Sequence, residues 1–283
     1  MKQYDDIEFV CNLKEKTEFV YIRKAKYLSI DIVVKCMKIK KSKYKPEKNI
    51  KELVGECLFW SEVYFTKELG KSHFPHIVKF LDFYTIKNTL VLITEFIKGD
   101  TLREYFSKRS NNICYRDVYN IFFQICITIV FLQTKKIYHG DLHFGNIIIS
   151  PIVYDCKYYH YKYNYNQDES TVFYIENLKY KIIVYDFGCS FKEKEYRYHN
   201  IDSHLNLTGF KSNYPLYFLD FCRIFDELAI GYNVVNVSCQ FQNALLKTTN
   251  IFEFLKFAFP MYLDFYPDSK LRFEIELEET ILC

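Results

Sequence analysis

The chain holds 283 residues, 49% hydrophobic and 26% charged, with 38 basic against 35 acidic side chains. That is enough for one large domain or two lobes sharing a cleft, since single hydrophobic cores stop growing near this size, and a net charge of +3 is far below the basic footprint of a nucleic-acid binder. Met1 to Phe9 carries no apolar signal-peptide run, and the longest apolar stretch, Ile121 to Leu132, is interrupted by Gln124 and falls short of the roughly 20 residues that cross a bilayer, so neither secretion nor a membrane span is expected.

Along the chain, Ile7 to Leu13, Glu18 to Arg23 and Tyr27 to Lys38 alternate in the manner of strands separated by short charged turns, which predicts an antiparallel meander. From Pro46 to Gly70 the pattern turns helical, with a proline near the start, a glycine at the end, and Leu53, Cys57, Trp60, Val63 and Phe65 as apolar positions. Two more strands, His76 to Tyr84 and Thr89 to Phe96, precede a polar turn at IKGD. Thr101 to Lys108 and Tyr115 to Thr134 then read as helices, the second apolar on nearly every side and therefore buried. The chain from Asn213 onward again looks helical. A small β-rich piece followed by a larger helical piece argues an α+β fold with two lobes.

Two compositional features have plain explanations. Aromatics reach 19% and Lys outnumbers Arg 31 to seven, the bias of an AT-rich genome. The densest aromatic run, Tyr154 to Tyr165, reads as part of a hairpin insertion at about 150–181 rather than as a nucleic-acid platform. The ten cysteines are scattered with no CxxC pair, which excludes zinc-finger spacing and predicts reduced, buried thiols in the cytoplasm or nucleus.

The chemistry concentrates in two clusters, YHGDLHFGNIII at 138–149 and IIVYDFGCS at 182–190, each bounded by strand-like apolar residues. Phosphoryl transfer needs a carboxylate beside the attacking hydroxyl, and oxygen ligands that hold metal ions against phosphates. Asp141 would orient the nucleophile, Asn146 and Asp186 would hold Mg²⁺, and Gly188 would let the chain turn sharply afterwards. Upstream, IVVK at 32–35 fits a strand whose Lys35 pairs with phosphates. Its ion-pair partner should come from the next helix: Glu62 first, with Glu56 and Glu52 as fallbacks. LVLITEFI at 90–97 would be the last strand before a hinge, with backbone groups of Glu95, Phe96 and Ile97 facing adenine and Asp100 near the ribose of ATP.

With these motifs in order, the chain resembles a eukaryotic-type serine/threonine protein kinase over most of its length, and most of all the haspin family. The likeness rests on DLHFGN in the catalytic loop, a gap of 40 residues between Asn146 and Asp186, the absence of an APE motif, the helix spacing of Glu56 and Glu62, and LTGFKSNYPLYFLDFCRIF at 207–225. The resemblance implies a bilobal protein-kinase-like fold with an N-lobe over 1–97 and a C-lobe over 98–283. It also implies ATP and Mg²⁺ as cofactors, and Asp220 as the helix carboxylate that braces the catalytic loop, with Arg223 one turn on. As partner it implies a protein substrate, specifically a threonine of a core histone tail in mitosis, and it places the enzyme as a monomer in the nucleus or cytoplasm. By length the chain is expected to be a bare catalytic core.

The departures define the alternatives. No glycine precedes Gly55, so the Gly-rich lid over the phosphates is missing and the β-turn near Asn12 to Lys16 must cover ATP in another way. DFG stands where haspins carry DYT. His139-Gly140-Asp141 lacks the Arg that pairs with a phosphorylated activation loop, so activation by that route is not expected. Acidic residues that would read a basic tail are not evident in Thr208 to Pro215. A pseudokinase, a small-molecule kinase of the aminoglycoside or choline type, which shares the phrase HGDLHxGN, and a kinase of a large DNA virus remain open.

Overall fold

The structure, a computed structural model, describes residues 7–14, 17–45, 48–72, 74–109, 114–152, 158–166, 169–176, 179–192, 220–221, 224–225, 227, 243–244, 247–248, 251–259 and 274–278. The polypeptide groups into two units, Met1–Lys98 with Tyr185–Ser190, and Gly99–Val184 with Phe191–Cys283. The sequence predicts one boundary after Ile97; the first boundary follows Lys98, and six later residues group with the first unit.

The first unit is a five-stranded antiparallel sheet in the order β1-β2-β3-β5-β4, built from Glu8–Asn12, Val20–Tyr27, Ile30–Lys38, Phe80–Ile86 (β4) and Thr89–Glu95 (β5). The meander is present, but its second turn lies at Leu28-Ser29 rather than at Lys24 to Lys26. Both turn residues have positive φ, 48° and 66°, so a tight hairpin forms without the glycine or asparagine that would have announced it. Period-two alternation sorts β3: Ile32, Val34 and Cys36 pack with Ala25, Val91 and Ile93, whereas Met37 faces the other way with Leu90, Leu92, Trp60 and Val63. Lys35 shares the second face.

The single helix expected over Pro46–Gly70 is two, α1 at Ile50–Leu53 and α2 at Leu58–Gly70. Gly55 at φ 87° and Cys57 in extended backbone break the helical path between them. A further 3₁₀ turn, Phe187–Cys189, packs in this unit against the start of α2, with Phe187 fully buried.

The second unit is organised around α4, Tyr115–Thr134, preceded by α3, Leu102–Arg109. Arg116–Thr134 is long and apolar enough to cross a membrane by length and composition, contrary to the sequence reading, yet 78% of that window is buried within the protein. Gln124, the polar interruption of the apolar run, is fully buried and grips a neighbouring strand. Its Nε2 donates to the Tyr180 carbonyl at 3.1 Å and its Oε1 accepts from the Ile182 amide at 3.1 Å. Burying an amide is tolerated when its groups are bonded in this way. That strand, β11 at Tyr180–Val184, pairs with β8 at Ile147–Pro151, which also pairs with the two-residue β6 at Asp100–Thr101. β7, Ile137–Tyr138, pairs with β12, Phe191–Lys192.

Strands β9, Tyr158–Asn166, and β10, Glu169–Glu176, form the antiparallel hairpin expected of the insertion, and β13, Glu274–Glu278, adds to β9 in parallel. The short helix α5, Ile251–Ala258, contributes Phe254, which meets Phe221 edge-on, while Phe259 meets Phe123 in the same manner. Of the six described cysteines, all free, Cys36 and Cys126 are buried but Cys11 and Cys114 are exposed, so the expectation of buried thiols holds only in part. Thr208 to Pro215 and most of the chain from Asn213 onward, including Arg223, lie outside the described residues.

Candidate active site

In the first unit three titratable side chains converge. Lys35, at the middle of β3, reaches α2 and donates from Nζ to Glu62 Oε1 at 2.5 Å and to Asp186 Oδ1 at 3.3 Å. Among the three glutamates considered for this pairing, the structure selects Glu62, which is 4% exposed. Glu56 instead turns to Lys45, which meets both its carboxylate oxygens at 3.0 Å, and Glu52 is exposed. Burial would lower the Lys35 pKa, but Glu62 and Asp186 outweigh it and hold the ammonium above its ordinary range. Burial raises the Glu62 carboxyl to about 7 against the pull of Lys35, and the nearby Asp186 adds to the rise. Two carboxylates sharing one ammonium leave a net negative charge that a cation or a shared proton must balance.

Asp186 sits in the left-handed region at φ 66°, which a residue with a short polar side chain tolerates better than most. This conformation swings the chain from β11 into the 3₁₀ turn. A Cβ on Gly188 would meet only ordinary contacts, the nearest at 3.6 Å, so the glycine is not required there for lack of space.

The sheet engages two of the amides at the end of β5 and just beyond it. The Glu95 amide donates to the Lys79 carbonyl at 3.1 Å, the Phe96 amide donates to the Asp31 carbonyl at 3.3 Å, and Glu95 Oε1 accepts from the Lys79 amide at 2.9 Å. The sheet therefore takes the amides of two of the three residues expected to face adenine. Ile97 is the hinge residue whose amide makes no such bond among the described residues. Asp100, expected near the ribose, accepts from Lys108 Nζ at 2.7 Å and belongs to the second unit.

In the second unit the loop 139–146 is held backbone-first. Asp220 accepts from the amides of His139 and Gly140, each at 2.9 Å, and Gly140 takes φ 75°. Burial pushes the Asp220 carboxyl up to about 6 even though both amides pull it down. The Asp141 amide donates to His139 Nδ1 at 3.3 Å, and Asn146 Nδ2 donates to the Asp141 carbonyl at 3.0 Å, so the two predicted site residues are tied together.

The sequence reading missed the other end of this clamp. Glu227 accepts from the Phe144 amide at 2.5 Å and forms an ion pair with Arg103 of α3, whose guanidinium also lies 3.4 Å from His143 Nδ1. His143 Nδ1 accepts from the Gly145 amide at 2.9 Å, and its Nε2 lies 3.8 Å from Asp141 Oδ2. A Cβ on Gly145 would stand 2.7 Å from the His143 ring, which explains why glycine follows histidine by two positions here. The signal for Glu227 was available: seven residues after Asp220, it falls on the same face of a helix.

Each unit offers hard oxygen donors of its own: the first has the Asp186 carboxylate, and the second has the Asp141 carboxylate and the Oδ1 of Asn146, opposite its bonded amide nitrogen. Among the described residues no group of three His, Cys, Asp or Glu side chains gathers into a metal cage. A sparse set of hard oxygen donors fits Mg²⁺, which is normally held by one or two protein groups together with phosphates and water.

A family model described as protein tyrosine and serine/threonine kinase matches residues 15–206. Probable kinase 098L of Invertebrate iridescent virus 3 is 33% identical over 118 residues, 41% of this chain and 20% of that protein. Serine/threonine-protein kinase ppk27 of Schizosaccharomyces pombe is 29% identical over 93 residues, 33% of this chain and 22% of that one. Serine/threonine-protein kinase dst4 of Dictyostelium discoideum is 27% identical over 78 residues, 28% of this chain and 16% of that one. The matches thus span 16 to 22% of the lengths of these relatives. The crystal structure of one kinase domain aligns at TM-score 0.46 and 16% identity over 68% of this chain and 53% of that one. The family model reaches across both units and takes in Lys35, Glu62, Asp141, Asn146 and Asp186: the chain belongs to the protein tyrosine and serine/threonine kinase family.

Proposed function

We propose that this chain is an ATP- and Mg²⁺-dependent serine/threonine protein kinase. The observation that carries the reading is the ion pair between Lys35 and the buried Glu62 with Asp186 on the same ammonium, an arrangement with no purpose in packing alone. In this reading Lys35 holds phosphate oxygens of ATP, and Ile97 offers its amide to the adenine. Asp141 accepts the proton of the substrate hydroxyl as that oxygen takes the terminal phosphoryl group and ADP leaves. Asn146 and Asp186 hold Mg²⁺, which when bound neutralises charge on the phosphates. Asp220 and Glu227 keep the catalytic loop in shape.

The serine/threonine preference draws on the names of two relatives. The finer reading, a haspin-like enzyme acting on a threonine of a core histone tail in the nucleus, draws on DLHFGN, the 40-residue gap and the missing APE motif. A second reading, a kinase of viral lineage, draws on the identity to the iridescent-virus protein.

Incubation with labelled ATP, Mg²⁺ and a panel of histones and unrelated proteins should transfer label to serine or threonine, and Asp186→Ala should abolish transfer. Equal labelling by wild type and variant would overturn the catalytic assignment. Label on non-histone proteins alone would remove the histone reading. A melting temperature unmoved by saturating Mg-ATP would favour a scaffold without nucleotide binding.

A further inference from the structure

A nucleotide lid ordinarily works by bringing backbone amides close to phosphate, which glycine permits because it has no Cβ. The hairpin between β1 and β2 has no glycine. Its closure combines backbone and side chain: the Thr17 amide donates to the Val20 carbonyl at 2.9 Å, Thr17 Oγ1 donates to the same carbonyl at 3.0 Å and accepts from the Val20 amide at 2.9 Å, and the Leu13 amide donates to the Ile22 carbonyl at 2.9 Å. Among the described residues of this hairpin, a lysine extends toward the residue that precedes Asp186. Lys14 Nζ stands 5.8 Å from the centre of the Tyr185 ring, one residue before Asp186. Its charge also reaches the Glu62 carboxyl, lowering that group's pKa against the effect of burial.

Charge balance gives this placement meaning. Lys35, Glu62 and Asp186 together sum to −1, the wrong sign for a polyphosphate, and Lys35 is already shared between two carboxylates. Counted over these described side chains, Lys14 brings the sum to zero before any metal ion arrives. A lysine is a mobile point charge on a four-carbon stem, and it can reach a phosphate without close approach of its own backbone.

Resting on the kinase reading above, we propose that Lys14 is the phosphate-binding group of the lid, contacting the polyphosphate of a nucleoside triphosphate in place of glycine backbone amides. The test is binding rather than turnover: calorimetric titration of Mg-ATP and of adenosine into the full chain as wild type, Lys14→Ala, Lys14→Arg and the control Lys26→Ala. Lys14→Ala should bind Mg-ATP roughly tenfold more weakly, the loss of one charged contact, with adenosine affinity unchanged. Lys14→Arg should stay near wild type, and so should Lys26→Ala, which removes an exposed charge from β2.

Unchanged Mg-ATP affinity in Lys14→Ala overturns the proposal. So does an equal loss for ATP and adenosine, or an equal loss in Lys26→Ala, which would mark a general charge effect. If wild type binds neither ligand, the kinase reading itself falls, an outcome distinct from failure of Lys14 alone.

Discussion

Asp220 and Gly140, eighty residues apart in sequence, are joined by a hydrogen bond of 2.9 Å from the glycine amide to the carboxylate. The same carboxylate takes the His139 amide, so one buried side chain fixes two consecutive peptide units just before Asp141. Its pKa, about 6 against an ordinary 3.8, makes the arrangement pH-sensitive. A carboxyl raised on folding binds more protons in the native than in the unfolded chain, so its contribution to stability is full below pH 4 and fades as pH rises through 6. Urea unfolding between pH 4 and pH 7 should show wild type losing up to about 3 kcal/mol relative to Asp220→Asn across that window. A constant difference between the two proteins at every pH would refute it.

Removing Lys35 strands a buried charge. Lys35→Met should lower stability by about 3–5 kcal/mol, because Glu62 keeps its burial and loses its cation. The double variant Lys35→Met/Glu62→Met should regain most of that loss. The single variant should also depend more steeply on pH. The Glu62 carboxyl, already near 7, rises further without the ammonium, so stability falls as pH climbs from about 4.5 through and beyond neutrality. Denaturant midpoints for the cycle at pH 5 and pH 8 decide it.

Gly145→Ala should be costly for a local reason. The added methyl would sit 2.7 Å from the His143 ring, and either the ring or the loop has to move. A loss of about 1–3 kcal/mol is expected from such overpacking. His143→Ala in the same chain should relieve it, which thermal unfolding of the two single variants and the double variant can measure.

Glu227 acts on the loop through the Phe144 amide and Arg103, and so is a positioning residue. Glu227→Ala should cost about 1–3 kcal/mol for an amide left without its acceptor. In phosphate-transfer assays it should lower kcat while leaving the KM for ATP near wild type, and Glu227→Gln, which retains an acceptor, should restore part of the rate. A change confined to KM would show that Glu227 serves nucleotide binding instead.

The site was legible where chemistry demands a residue type at a fixed place. Lys35 and Glu62 were paired from strand alternation and helix position, and α4 was bounded correctly because twenty residues of apolar periodicity overwhelm one glutamine. Legibility failed where backbone conformation departs from residue preference. Leu28 and Ser29 turn left-handed without a turn signature, and Gly55 divides a helix that the apolar spacing carries across without interruption. The bonding of the Glu95 and Phe96 amides was illegible for a related reason. Side-chain pattern shows where a strand runs, but not which of its last amides the neighbouring chain has already taken.

The polypeptide crosses between its two units three times, after Lys98, after Val184 and after Ser190. A polypeptide ending at Lys98 would retain Lys35 and Glu62 yet lack Asp186, and it would leave bare the start of α2 against which Phe187–Cys189 packs. The first unit is therefore not a continuous module that recombination could move intact. It depends on covalent continuity through the second for part of its own interior, and a polypeptide ending at Lys98 should melt less cooperatively than the full chain.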